Sequence, residues 1–209
     1  MCIRDSYDNM PSDWTDLTKD EYKGLYQLHN LGGGTAKTVF ASIISRYQDP
    51  DGDLGISDEG WEIAAKFLGN AHNIADGEDA VGSVINGTYP MDEHWASGVL
   101  TEQKDRDYKF QIMTPDIGEP YVVESLAISA GTKKYDTCVA FLNWLGSSDV
   151  QLDWSNNYGT IPCQKEALAQ VSDDIKELME TLKPQDLDWS FIAENVDAWV
   201  EKAELEYVQ

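Results

Sequence analysis

Residues 25–47 read LYQLHNLGGGTAKTVFASIISRY, a strand, a glycine turn and a helix in immediate succession. Leu25, Tyr26 and Leu28 form an apolar run of strand length, which Gly32, Gly33 and Gly34 break. Thr35 stands where a helix N-cap is expected. From there Val39, Phe40, Ile43, Ile44 and Tyr47 fall on one face of a helix of about four turns. Three glycines allow close approach to the backbone, and the unpaired N–H groups of the first helical turn would meet a ligand with the positive end of the helix dipole. Glycine in such a turn also serves tight geometry alone, so a ligand cradle and a structural turn both fit. A nucleotide phosphate loop does not. It needs glycine directly before Lys37 and again five places earlier, where the chain has Ala36 and Leu31.

Composition narrows the classes. A chain of 209 residues with 42% hydrophobic content and seven tryptophans can bury a full core, in one large domain or two small ones. Its 38 acidic against 15 basic residues give a net charge of −23, a field that repels nucleic-acid phosphates and anionic lipid headgroups. No apolar run reaches the about 18 residues that a membrane span requires. Residues 1–6, MCIRDS, join poorly to the segment after them. Residues 1–10 are therefore expected to be an artefactual or disordered leader on a chain whose true beginning lies elsewhere, and the missing export signal says little about compartment. Cys2, Cys138 and Cys163 show no paired metal spacing; Cys138 sits in an apolar helix as a small core residue, and a Cys138–Cys163 disulfide stays open.

Along the chain, residues 49–53 form a loop whose alternating aspartates fail as a calcium site, because Gly52 comes too early and the twelfth position lacks glutamate. Ser57 caps a helix carrying Trp61, Ala64, Ala65 and Leu68, and Gly87 closes another over 78–86. A strand over 88–91 leads into a helix over 92–104, a second strand-to-helix junction with Asp92 and Glu93 at its mouth. The charge of both suits a helix N-terminus in any case. Strands are predicted over 108–113 and 121–129, separated by a turn over 115–118, and helices over 135–145, 149–156, 173–182 and 189–207. Strands alternating with helices give an α/β class, with a candidate boundary near 115–121.

The segments PSDWTDLTKDEYKGLYQL, GGGTA, NGTYPMDEHWASGVL, TPDIGEPYVVESLAISAGTKK, CVAFLNWLGSSDVQ, NNYGTIPC and WSFIAENVDAWVEK, in this order and spacing, resemble the extracellular solute-binding proteins of ABC importers. The resemblance is to the branch that includes ferric iron, phosphonate, thiamine and polyamine binders. It implies a type II periplasmic-binding fold, two lobes closing on a solute by hinge bending, incomplete here at its amino terminus. Residues 11–118 would be mainly the second lobe and 119–209 the C-terminal part of the first. It further implies that Gly33, Gly34, Thr35 and Ala36 offer backbone N–H and hydroxyl donors, that Tyr89, Asp92 and Glu93 face the cleft, and that Tyr158 contacts ligand from the first lobe. Open α/β sheets bind ligands at the carboxyl ends of their strands, which is where both junctions lie. The ferric binders use adjacent tyrosines, and Asn156-Asn157-Tyr158-Gly159 offers one, which weakens direct iron binding. An N–H cradle suits an anion and the carboxylates suit a cation, so ligand charge stays open.

The implied function is capture of a small solute and delivery to an importer permease, without catalysis, cofactor or resident metal. The protein would act as a monomer in the periplasm or at the cell surface, anchored through a lipoprotein signal absent from this sequence. The rival readings are a secreted carboxylate-dependent hydrolase using Asp92 or Glu93 beside Trp95, and a scaffold domain that binds no solute. Trp95 three places into a helix reads as core. His29, His72 and His94 have no recognisable metal spacing and read as surface or structural residues.

Overall fold

Asp13 caps a short 3-10 turn, Trp14–Thr18, by accepting from the Thr15 N–H, while Asp16 reaches back to the Asp13 N–H. Arg46 clamps the Asp13 carboxylate with two hydrogen bonds of 2.7 and 2.9 Å. That cap drops Trp14 and Leu17 into the core. The computed structural model describes residues 1–208. It divides into two compact units: the first comprises Met1–Trp95, Tyr108–Pro120 and Leu182–Gln209, the second Ala96–Asp107 and Tyr121–Thr181.

The first unit is built on a five-stranded sheet. Its strands are β1 (Cys2–Ile3), β2 (Tyr26–Leu28), β4 (His72–Asn73), β5 (Met91–Asp92) and β6 (Gln111–Ile112) in the order β4-β2-β5-β1-β6, while β3 (Gln48–Asp53) forms a hairpin closed by bridges to Ile56. Strand β2 runs parallel to both β4 and β5, and β1 runs antiparallel to β5 and β6. The first residues are thus no disordered leader. Met1, Cys2 and Ile3 are buried, because β1 fills the gap between β5 and β6 and its pairing satisfies both neighbours.

Between the strands come α1 (Gly34–Ile44), α2 (Asp58–Gly69) and α3 (Ala80–Asn86). Helix α1 buries Val39, Phe40, Ile43 and Ile44, as its apolar stripe requires, at about 1.5–3 kcal/mol per side chain. Its N-cap is Gly33, so Thr35 lies inside the first turn. Ser57 caps α2 by accepting from Gly60 N–H, and Gly87 ends α3 at φ +82°, a left-handed conformation glycine adopts without strain. Gly118 turns the chain at φ +94°, where a Cβ would lie 2.7 Å from the Gln185 backbone nitrogen. The long helix α9 (Trp189–Glu206) packs Trp199, Val200 and Ala203 into the same core as Trp14, Tyr26, Phe40 and Phe67. Residues 182–208 therefore lie in the first unit.

The second unit is helical: α4 (Ala96–Arg106), α5 (Tyr135–Leu145), α6 (Ser148–Tyr158), α7 (Lys165–Leu168) and α8 (Asp173–Thr181). Helix α4 begins four residues later than the pattern suggests, and residues 121–129 form no strand. Cys138 and Cys163 are not joined by a disulfide. Among the described residues no helix is long and apolar enough to cross a membrane.

Candidate functional site

Because β4 and β5 flank β2 on opposite sides and run parallel to it, the chain leaves all three strands at one edge of the sheet. Such a point, where successive connections go to opposite sides, leaves a crevice beyond the strand ends. Register decides who meets there. Gln27 pairs with Asp92, the Glu93 N–H donates to the Gln27 carbonyl at 3.1 Å, and His29 and His94 each leave their strands within two residues of that bond.

The result is a cluster that sequence spacing hides. His29, Asp92 and His94 bring ligand atoms within 4.8 Å of one another. One Asp92 oxygen, Oδ2, lies 3.0 Å from His94 Nδ1, which holds the imidazole in place. His29 Nε2, His94 Nε2 and Asp92 Oδ1 are buried without a hydrogen-bond partner, one such atom from each residue. Leaving three polar atoms dry and unpaired costs about 1–3 kcal/mol each, a cost that a cation ligated by all three would offset. Two imidazoles and a carboxylate suit borderline first-row ions such as zinc, manganese or iron.

The neighbours shape this cluster. Glu93 is fully buried, and burial first, then the Asp92 charge, push its carboxyl up to about 7. Trp95 is half exposed, precedes α4 and stacks on His94 with centroids 4.2 Å apart, so it is neither helical nor core. His29 lies tilted against both His94 and Trp95, at 6.1 and 6.5 Å, completing an aromatic ledge over the strand ends. Cys2 Sγ lies 4.0 Å from Asp92 Oδ2 on the buried side.

The sequence-chosen residues divide. Asp92 and Glu93 do stand beside the turn that follows β2, but as buried strand-end groups and not as the first turn of a helix. Gly33, Gly34, Thr35 and Ala36 open α1, and no side chain caps it. Asn30 occupies the Gly32 and Gly33 N–H groups through its Oδ1 and carbonyl, which leaves the N–H groups of Gly34, Thr35 and Ala36 without an acceptor among the described residues. A Cβ at Gly34 would meet nothing within 4 Å, so this glycine serves open space and not tight geometry. Tyr89 stacks on His72 at 4.3 Å, and His72 in turn pairs with Glu78 at 2.8 Å. Tyr158 ends α6 in the second unit, exposed and tilted against Trp154. The roles of His29, His94 and Trp95 are not legible in the sequence; the available signal is that both histidines follow a strand by one or two residues.

Residues 1–183 match the family model of the bacterial extracellular solute-binding proteins. The chain belongs to that family. It is 34% identical over 199 residues to a probable ABC transporter periplasmic-binding protein of Sinorhizobium fredii, and that match covers 95% of this chain and 55% of the relative. It thus spans about half the length of that relative. Among solved structures, it is similar to the ferric binding protein from Campylobacter jejuni, with a TM-score of 0.76 and 20% identity over 99% of this chain and 66% of the other. It is equally similar to the apo ferric ion-binding protein A of Pasteurella haemolytica, with a TM-score of 0.76 and 18% identity over 99% and 65%. The fold is accordingly the α/β architecture of the two-lobed periplasmic ferric-binding proteins, over the part of it that this chain spans.

Proposed function

We propose that this solute-binding family member captures a metal cation at the carboxyl ends of β2 and β5 and passes it, without catalysis, to the permease of an ABC importer. The observation that carries the reading is the trio His29, Asp92 and His94, each with one buried atom that has no partner. Ferric ion is what the similar structures are named for. The donor set here, two imidazoles and one carboxylate, instead favours a divalent first-row ion over hard ferric iron. Its acidic surface, with a net charge of −23, raises cation concentration near the site. The protein acts as a monomer in the periplasm or outside the cell. Nothing favours the hydrolase: Asp92 and Glu93 are both fully buried, with no face open to a glycosidic bond and its water.

Titration calorimetry with zinc, manganese and ferric citrate tests this directly. Zinc or manganese should bind at one site and raise the melting temperature by mass action, and His94→Ala should weaken that binding by at least about 100-fold. A second reading rests on the acceptor-free N–H groups of Gly34, Thr35 and Ala36: a small anion held at the start of α1. In that case Gly34→Trp abolishes binding of phosphate, and His94→Ala leaves it unchanged. Retention of metal affinity in a His29→Ala, His94→Ala double variant would sink the metal reading.

A further inference from the structure

The last turn of α1 ends in a polar knot. The Ser42 carbonyl accepts from Arg46 Nε at 3.2 Å and from Gln185 Nε2 at 3.0 Å, which sets these two side chains against each other although they come from distant parts of the chain. Backbone lacing carries Gln185 there: the Glu119 N–H donates to the Lys183 carbonyl, and the Glu119 carbonyl accepts from the Gln185 N–H, both at 2.8 Å. Beside the knot, within the first unit, lies an open recess of about 490 Å³, a volume in the range of small-molecule sites. Ser45, Arg46 and Gln185 line it, and each brings one buried polar atom that has no hydrogen-bond partner: Ser45 Oγ, Arg46 Nη2 and Gln185 Oε1. Ser45 and Gln185 are only 8% and 7% exposed. Unpaired polar atoms so deeply buried are unfavourable, and a ligand that pairs with them offsets that cost.

The lining also selects the ligand's chemistry. Arg46 does not make this an anion site, because its Nη1 already lies 2.7 and 2.9 Å from the two Asp13 oxygens. Asp186 and Asp188 stand exposed on the rim, so the remaining local charge is negative and repels anions. What is left is a donor from Arg46, a hydroxyl from Ser45, an acceptor from Gln185 and the aliphatic side chains of Ile117 and Leu187. Hydroxyl groups both donate and accept, and so meet such a mixed set. We propose that this recess is a second small-molecule site and that it takes a neutral polyol such as a monosaccharide. The hydroxyls of the polyol pair with Ser45, Arg46 and Gln185, and its C–H face covers Ile117 and Leu187. Ser45 directly follows α1, so the recess lies at the far end of that helix from Gly34, about 16 Å along its axis. It shares no residue with the His29 cluster and does not rest on the metal reading.

Titration of the isotope-labelled 209-residue chain with glucose, mannitol and myo-inositol, followed by amide chemical shifts, tests this. At least one of the three should give saturable shifts confined to the amides around Ser45, Ile117 and Gln185, with a Kd of about 1 mM or below. Gln185→Leu keeps the bulk, removes both polar atoms of the amide and should weaken that binding about 10-fold. It also removes the bond to the Ser42 carbonyl, so Asp186→Ala, an exposed rim change that leaves the melting temperature and zinc affinity unaltered, serves beside it and should weaken binding about 3-fold. Absence of saturable shifts with all three polyols up to about 50 mM would overturn the proposal, as would saturation by glycine alone, which would assign the recess to a zwitterion. Polyol shifts that vanish in the His29→Ala, His94→Ala double variant, or that persist at full affinity in both recess variants, would place the binding elsewhere and overturn it too.

Discussion

The two units spend the same kinds of residue differently. In the first, Trp14, Tyr26, Phe40, Phe67 and Trp199 are essentially inaccessible and share one continuous core with Ile3 and Met91 from the sheet and Met113 just after β6. In the second, the buried apolar set is Val99, Ala167, Val171, Ile175 and Leu178, while Phe141, Trp144, Trp154 and Tyr158 are about half exposed. Helices form in both. The contrast shows that amphipathic patterning specifies a helix locally, whereas burial depends on whether a second layer exists to receive its face. The buried polar side-chain atoms without a partner among the described residues, those of His29, Asp92 and His94 included, all lie in the first unit.

Predictions that probe this contrast run from large effects to small. Trp199→Ala removes a fully buried ring whose Nε1–H donates to the Leu54 carbonyl at 3.0 Å, and it should cost about 3–5 kcal/mol in urea unfolding. An equal cost for Trp144→Ala in the second unit would break the comparison, because Trp144 is 55% exposed and should change stability by no more than about 0.5 kcal/mol.

Next comes Glu93. Its carboxyl stands at about 7 in the fold, above its ordinary value of 4.5, so the native state binds the extra proton between those two values. The stabilisation is complete below the unfolded value and is lost as pH rises through about 7. In chelator-treated protein, the stability difference between wild type and Glu93→Gln should fall by about 3 kcal/mol from pH 4.5 to pH 8. A pH-independent difference would mean that water reaches this carboxyl and that the first unit is less dry than drawn.

A smaller effect sharpens the local side of the comparison. Ser57 accepts the Gly60 N–H at 3.3 Å as the cap of α2, and Ser57→Ala should cost about 1 kcal/mol. The same replacement at Ser147, which precedes α6 without a capping hydrogen bond to that helix, should cost less than half as much. Chemical denaturation of the paired variants measures both.

Much of the fold is legible in the chain. Helix α5 falls where its pattern places it, and α2, α3, α8 and α9 come within a few residues, since caps such as Ser57 and stops such as Gly87 act within one turn. The strands are less legible. The run over 121–129 has strand chemistry and no strand, since a strand exists only where a neighbour accepts its backbone groups. Conversely Cys2 and Ile3, which read as leader, become a paired strand because β5 and β6 leave a space of that width.

The candidate site divides along the same line. Sequence by itself determined the glycine turn before α1, the adjacent carboxylates Asp92 and Glu93 at the end of β5 and the family's segment order, all local in the chain. Tertiary structure alone decided that His29 and His94, 65 residues apart, approach one carboxylate, because the parallel register of β2 and β5 sets Gln27 against Asp92. Register is fixed by backbone pairing and by which faces are buried, neither of which spacing along the chain records.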